Sequence, residues 1–305
     1  MPLSDLAEKY SWLSIVAPPE KYLRPDYYDR VLKDYIFEGK RDIEFLRERC
    51  GSISEDVHVV EFGPGSGRAT EVALNSIKNI KSLTLVDLSD WMLEKCQQRF
   101  ADKKFIEYVK SDSVDFLLAT REVYDFAFSL WSFSHSTHQN LQNLGIEHGS
   151  EKVRRALVKF LIENLKANGS FYLMHFDSLS DEQRISIKQR KRDNPIFVDD
   201  QKESPSKLLI DEILANLKLQ GIIEFTATHY DGKPLEFSSL EEALEYYTNF
   251  HMECHFNSSA MIGEIITELS VDLEKHRDKD GIIRIIPGCF VYDIKRLSKP
   301  IASVL

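Results

Sequence analysis

The sequence has no long apolar segment, no closely spaced cysteine pair and no excess of basic residues. No stretch of its 305 residues approaches the roughly 18 apolar residues that a membrane-spanning helix needs. Its four cysteines are far apart, which is typical of reduced thiols in an intracellular protein rather than of a disulfide framework. The first ten residues lack the basic start and apolar run of a secretory signal. We therefore expect a cytoplasmic protein with no membrane partner.

The net charge of −10 limits the choice of partner. Binding to nucleic acid depends on clustered Lys and Arg that neutralise phosphates, so a nucleic-acid substrate is disfavoured. The one short basic run, Lys188–Arg192, is better explained as a solvated helix face. A hydrophobic content of 43% is ordinary for a globular chain. The composition leaves the oligomeric state open, a homodimer included.

Short apolar segments alternate with helical patterns along most of the chain. We predict strands at residues 57–62, 83–86, 105–109, 124–130, 171–176, 222–229 and 282–295. Asn168-Gly169 is predicted to end the helix before the fifth strand, and Pro287-Gly288 to bend the last one. Strands that alternate with helices predict an α/β fold with a doubly wound parallel sheet.

Two helical regions flank this pattern. Residues 26–50 are predicted to form one kinked helix or two short ones, because apolar and aromatic positions recur at helical spacing. Residues 232–283 are predicted to be an insertion with helices at about 240–250 and 258–275. The predicted organisation is thus an N-terminal helical region, 1–50, followed by one domain, 51–305, that contains the insertion.

Glycines and acidic residues follow the first three predicted strands. Ligands of open parallel sheets bind beyond the carboxyl ends of the strands, so these residues can be considered together. The first strand ends at Glu61 and leads into Gly63, Gly65 and Gly67, where absent Cβ atoms permit a sharp turn and close approach of a ligand. Dinucleotide binding favours G-x-G-x-x-G, but Arg68 occupies the slot expected for its third glycine.

The next two strand ends carry carboxylates that suit a nucleoside. Asp87 lies 20 residues after Gly67, where it could accept hydrogen bonds from ribose hydroxyls. Asp112 could accept from the exocyclic amine of adenine, and Leu88 and Met92 could press on the base plane. Alternatively, these acids only cap strands and helices.

Three segments together resemble a known family. Glu61-Phe62-Gly63-Pro64-Gly65-Ser66-Gly67 resembles motif I of the class I S-adenosylmethionine-dependent methyltransferases, particularly those acting on small molecules. Val86–Leu93 resembles their second-strand signature, and Lys110–Ser113 their third-strand motif. The resemblance covers about residues 55–177. It implies a Rossmann-like seven-stranded sheet whose last strand is antiparallel, supplied here by 282–295, with an N-terminal helical lid and a helical insertion before that strand.

The resemblance also implies S-adenosyl-L-methionine as the cofactor. Glu61 would hold the glycine turn near the methionine amino group. The implied cofactor-binding residues are Glu61, Gly63, Gly65, Gly67, Asp87, Leu88, Met92, Asp112, Ser113 and Leu130.

The family places acceptor contacts after strand four, here the segment 130–138. His135 and His138 are candidates for orienting or deprotonating the acceptor, although a structural role explains each as well. The segment has no (Asn/Asp)-Pro-Pro-Tyr motif, which argues against methylation of bases or glutamine amides. It has no acidic residue, which argues against the metal-chelating type, and we predict no metal.

Other acceptor candidates lie at strand ends and in the two flanking regions. Trp131 and His175 follow strands four and five, and Tyr247 belongs to the insertion. Tyr27 and Tyr28 lie in the expected lid, Tyr27 as a substrate contact and Tyr28 as a catalytic candidate. An aromatic stripe at helical spacing is more often part of a core.

The sequence thus predicts an enzyme that methylates an N or O atom of a small-molecule metabolite by direct in-line displacement. Three alternatives stay open. They are an RNA or protein methyltransferase, a partner protein that binds S-adenosylmethionine without catalysis, and an NAD-dependent oxidoreductase, which Arg68 disfavours.

Overall fold

A computed structural model describes residues 6, 8–14, 25–54, 56–192, 196, 202–251 and 261–298. The chain divides into two compact units. The sheet unit contains the described parts of Asp42–Phe176, Glu203–Tyr230 and Cys289–Leu305. The helical unit contains those of Met1–Arg41, Asp177–Lys202 and Asp231–Gly288. That residues 1–50 and the insertion 232–283 cover an acceptor stays a prediction.

Strands and helices alternate through most of the described chain. The strands are β1 (Ile36–Phe37), β2 (Lys40–Arg41), β3 (Val57–Phe62), β4 (Ile80–Asp87), β5 (Ile106–Lys110), β6 (Tyr124–Leu130), β7 (Leu165–Phe176), β8 (Ile223–Asp231), β9 (Leu235–Phe237), β10 (Ile283–Ile285) and β11 (Gly288–Arg296). The helices are α1 (Pro25–Val31), α2 (Asp42–Cys50), α3 (Arg68–Ser76), α4 (Asp90–Arg99), α5 (Ser113–Ala119), α6 (Ser132–Lys159), α7 (Asp181–Arg190), α8 (Pro205–Leu219), α9 (Leu240–Tyr246) and α10 (Ile262–Glu274). Short 3₁₀ or π turns occupy Ser11–Ser14, Phe160–Asn164 and Tyr247–His251.

The sheet unit is built on a seven-stranded sheet with strand order β5-β4-β3-β6-β7-β11-β8. Strands β3 to β7 run parallel to one another, and β11 runs antiparallel to β7. This confirms the predicted doubly wound, Rossmann-like fold with an antiparallel last strand. The central strands are buried on both faces, as parallel strands between helical layers must be. The order places the carboxyl ends of β5, β4, β3 and β6 side by side along one edge.

Three predicted elements differ in the structure. Residues 36–41 form the β1–β2 hairpin instead of helix, because Glu38 and Gly39 adopt positive φ and turn the chain back. Asn168-Gly169 does not end a helix, since β7 already begins at Leu165 and the bend is absorbed as a register shift against β6. The predicted strand 282–295 is divided at Pro287, and its first part, β10, pairs with β9 in a separate sheet.

The helical unit combines the small sheets β1–β2 and β9–β10 with helices α1, α7, α9 and α10. Strand β1 is joined to the segment before β9, because Lys233 N donates to Ile36 O at 2.7 Å. Helix α7 is tied to α10 by charge, because Lys188 Nζ lies 2.7 Å from Asp272 and Arg192 pairs with Glu264 and Glu268. The basic run 188–192 is therefore matched by acidic residues on α10.

Candidate functional site

The chain turns sharply between β3 and α3 at three glycines. Gly63, Gly65 and Gly67 have φ values of 70°, 55° and 86°, a region that other residues rarely adopt. A Cβ atom on Gly63 would lie 1.9 Å from Ser132 Oγ, and one on Gly67 would lie 2.6 Å from the Phe100 ring. Both glycines are therefore required by packing as well as by backbone conformation. The half-buried main chain at Gly63 and Gly65 is open to a ligand.

Glu61, the last but one residue of β3, is a buried carboxyl with one hydroxyl partner. It is 1% exposed, and Thr70 Oγ1 donates to its Oε2 at 2.6 Å. The pKa of Glu61 is raised to about 8, mainly by burial. The hydrogen bond from Thr70 and the charge of Arg68 oppose this rise, and the charge of Asp87 adds to it. The group thus titrates near neutral pH, and a cation bound beside it would favour its ionised form.

Asp87, at the end of β4, is bound to the glycine turn. Its Oδ2 accepts from Gly65 N at 3.3 Å, and its Oδ1 accepts from Ser89 N at 2.9 Å. Burial raises the pKa of Asp87, and the backbone hydrogen bonds from Ser89 and Gly65 oppose this rise. A carboxylate has about four acceptor positions, so Asp87 keeps capacity for further donors such as hydroxyls.

Two apolar residues follow Asp87 and differ in exposure. Leu88 is 53% exposed, whereas Met92 is only 3% exposed on the inner face of α4. The exposed side chain of Leu88 presents an apolar surface after Asp87, and its contact with a base plane stays a prediction. Met92 is part of the core of the unit.

Asp112, at the end of β5, is occupied by donors from the protein itself. Its Oδ1 accepts from the backbone of Val114 and Asp115 and from Asn140 Nδ2, at 2.9, 3.2 and 3.1 Å. Its Oδ2 accepts from Ser136 Oγ at 2.7 Å. The residue is therefore the N-cap of α5 and joins that helix to α6. Its contact with an adenine amine, and the role of the adjacent buried Ser113, stay predictions.

The segment after β6 is held by an ion pair that the sequence did not reveal. Arg68 binds the fully buried Asp42 with both terminal nitrogens, at 2.6 and 2.5 Å, and Trp131 Nε1 donates to Asp42 Oδ2 at 2.8 Å. Trp131 adopts φ 72°, a strained value for a bulky residue, and is 1% exposed. Hydrogen bonds hold Trp131 in this conformation, because its backbone N–H donates to Met174 O and its indole N–H donates to Asp42.

The predicted acceptor residues after β6 lie on a helix. Leu130 ends β6 and is buried, and α6 begins at Ser132. His135 and His138 are half-buried on the first two turns of α6, three positions apart and therefore on one side of it. The His135 ring lies 5.9 Å from that of Phe176. The structure thus brings His135, Trp131 and the end of β7 together.

His175 directly precedes Phe176 on β7. Because side chains alternate along a strand, His175 and Phe176 face opposite sides of β7. His175 is 3% exposed, its Nδ1 lies 2.7 Å from Phe176 O, and its Nε2 has no partner among the described residues. Burial lowers its pKa to about 4, although the bond to Phe176 O raises it, so the ring is neutral at physiological pH. Its acceptor role stays a prediction.

The remaining candidates belong to the helical unit. Tyr27 lies in α1, but its side chain is outside the described part. The half-buried Tyr28 ring lies 5.8 Å from the Phe250 ring. Tyr247 is fully buried, and its hydroxyl donates to Glu182 O at 3.2 Å. Sequence reasoning missed Glu182, because no local pattern distinguishes it from other helical acids.

Two negative findings concern the described residues. No helix among them is long and apolar enough to span a membrane. Within the same residues, no three or more His, Cys, Asp and Glu side chains are grouped so that they could hold a metal ion.

Comparison with known proteins agrees with this geometry. A sequence model of the methyltransferase domain family matches residues 59–169, which include the glycine turn, Asp87, Asp112 and α6. No curated protein matches the sequence.

Two solved structures share the fold. The YcgJ protein from Bacillus subtilis superposes with a TM-score of 0.52 and 10% identity, over 84% of this chain and 98% of that chain. A provisionally assigned methyltransferase from Bacillus halodurans C-125 gives 0.50 and 13%, over 84% and 99%.

The part of the sheet unit that contains the glycine turn thus matches the methyltransferase domain family, and its seven-stranded sheet has the fold of the two solved structures. S-adenosylmethionine, the cofactor of this family, fits the residues present. The glycine turn exposes its main chain, Asp87 keeps acceptor capacity, and Leu88 presents an apolar surface.

Proposed function

We propose that the chain methylates an N or O atom of a small-molecule metabolite, with S-adenosylmethionine as methyl donor. The observation that carries this proposal is the link between the glycine turn and Asp87, in which Gly65 N donates to the carboxylate at the next strand end. This link sets an open main chain and a polar acceptor group side by side. Bound S-adenosylmethionine supplies an activated methyl group and a neutral thioether leaving group.

Three residues bind different parts of the cofactor in this proposal. Asp87 accepts from the ribose hydroxyls with the positions that Gly65 and Ser89 leave open. Leu88 covers one face of the adenine. Glu61 lies beneath the turn, where the positive charge of the methionine amino group favours its ionised form.

The methyl acceptor binds at the first turns of α6 and at the backbone of Trp131. Direct displacement requires the acceptor atom to be aligned behind the methyl carbon, and alignment can lower the barrier by about 7–11 kcal/mol in favourable cases. Trp131 is suited to this because Asp42 fixes its ring and Met174 O fixes its N–H at 3.0 Å. His135 and His138 orient the acceptor or remove its proton if it arrives protonated.

A small acceptor is favoured over nucleic acid by the charge distribution. The one basic run of the sequence pairs with acidic residues of α10, through Lys188–Asp272 and Arg192–Glu268. It is therefore not available as a phosphate-binding patch.

The proposal is tested by incubating the protein with S-adenosylmethionine and pools of amines, amino acids, phenols and sugars. Formation of S-adenosylhomocysteine is measured for each pool, and the methylated product is identified by mass spectrometry. We expect one chemical class to raise S-adenosylhomocysteine well above the acceptor-free rate. Cofactor binding without turnover for any pool would instead favour a non-catalytic partner protein, and turnover with RNA or protein alone would contradict the small-molecule assignment.

A further inference from the structure

The last turn of α4 binds two carbonyl groups of the glycine turn. Arg99 Nη1 donates to Ser66 O at 3.0 Å, and Cys96 Sγ donates to Gly65 O at 3.2 Å. A thiol is a weak hydrogen-bond donor, whereas a guanidinium group gives a charge-assisted hydrogen bond. Arg99 therefore makes the stronger of these two contacts, and it is not among the residues that bind the cofactor in the proposed function.

Arg99 also connects the glycine turn with the helix that follows it. Its Nη2 lies 2.6 Å from Glu71 Oε2, on the first turn of α3. The guanidinium group carries its N–H donors in a fixed, planar fork, so one side chain can bind the Ser66 carbonyl and the Glu71 carboxylate together. The side chains of Arg99 and Glu71 are 32% and 53% exposed. A pair with this access to water adds little to global stability, so the effect of Arg99 is local.

The glycine turn requires contacts of this kind because its own backbone is unusually free. Gly63, Gly65 and Gly67 all have positive φ, and glycine loses more conformational freedom on folding than any other residue. Without contacts to neighbouring elements, the turn would populate other conformations, and only molecules with the native turn would bind ligand. The apparent dissociation constant rises in inverse proportion to the fraction of such molecules.

We propose that Arg99 is a positioning residue for the cofactor. Its bonds to Ser66 O and to Glu71 keep the glycine turn in the conformation that binds S-adenosylmethionine. Arg99 acts through the turn rather than on the ligand. The inference rests on the cofactor site of the proposed function and extends that site to the end of α4.

The first test is calorimetric titration of the full-length protein with S-adenosylhomocysteine, which lacks the reactive methyl group. We expect Arg99→Met to raise the dissociation constant about tenfold, the value for a turn that is native in about one tenth of the molecules. Lys95→Met is the matched control. It removes the same charge from an exposed position one turn earlier on α4, and its affinity should be unchanged. Arg99→Lys keeps a charged donor but not the fork, so its affinity should lie between.

The second test is amide hydrogen exchange without ligand, which separates a local role from a general loss of stability. The N–H of Gly67 donates to Pro64 O at 2.9 Å within the turn. It should lose most of its protection in Arg99→Met, and Arg99→Lys should restore part of it. Exchange at Val60 and Ala127, in the central strands, should be unchanged.

Equal affinity of Arg99→Met and the unmodified protein, or an equal loss in Lys95→Met, would overturn the proposal. Exchange that accelerates as much at Val60 as at Gly67 would do the same. If the unmodified protein binds no S-adenosylhomocysteine, the proposed function fails at its cofactor, and exchange at Gly67 still decides whether Arg99 holds the turn. If Arg99→Met does not fold, Arg99→Lys decides the question by the same two measurements.

Discussion

The ion pair between Asp42 and Arg68 predicts a large stability loss when its carboxylate is neutralised. Asp42 is fully buried and Arg68 has an 18% exposed side chain. Removing one partner of a buried pair costs about 3–5 kcal/mol, because the other charge is left uncompensated. Since Arg68 has some access to water, we expect the lower end, a loss of about 3 kcal/mol for Asp42→Asn. The asparagine oxygen can still accept from Trp131 Nε1.

The assay is denaturant unfolding followed by circular dichroism and tryptophan fluorescence, with the free energy of unfolding extrapolated to water. Glu212→Gln is the matched control, because it makes the same change in an exposed pair of the sheet unit, with Arg154. Its loss should be within about 1 kcal/mol. Adding Arg68→Met to Asp42→Asn should recover stability, since the double variant has no unpaired charge. A loss for Asp42→Asn no larger than that of the control would refute the reasoning.

Two further predictions concern the site itself. Burial raises the pKa of Glu61 from 4.5 to about 8, so in that range the folded state holds a proton that the unfolded chain has released. The free energy of unfolding should therefore fall as pH rises through this range, by up to about 1.4 kcal/mol per pH unit, and Glu61→Gln should lack this component; equal slopes would show that Glu61 is not protonated. His135→Ala and His138→Ala should each lower turnover at saturating acceptor while calorimetry shows unchanged affinity for S-adenosylmethionine, and full activity in both would return these histidines to a structural role.

The sheet could be predicted because its strands are continuous apolar runs between turn residues. The bounds of β3 and β6 match the predicted 57–62 and 124–130. The glycine turn and the acids at the strand ends are also local in sequence, and their spacing alone placed them along one edge.

Other features depend on contacts between distant residues. Nothing near Asp42 in the sequence indicates that it pairs with Arg68, which is 26 positions later. The first half of α6 was not predicted, because its many Ser, His, Thr and Gln residues show no apolar period, and Gly145 at φ 79° interrupts the helix. Glu182 likewise acquires its environment only when Tyr35 and Tyr246 pack around it.

The central claim is that the glycine turn and Asp87 bind S-adenosylmethionine, and calorimetric titration tests it most directly. The account predicts saturable binding of S-adenosylmethionine, no binding of NADH, and an affinity for Asp87→Ala weaker by about 1–3 kcal/mol, because charged hydrogen bonds to the ribose are lost. Binding of NADH without binding of S-adenosylmethionine would contradict the account, and unchanged affinity in Asp87→Ala would remove its ribose role.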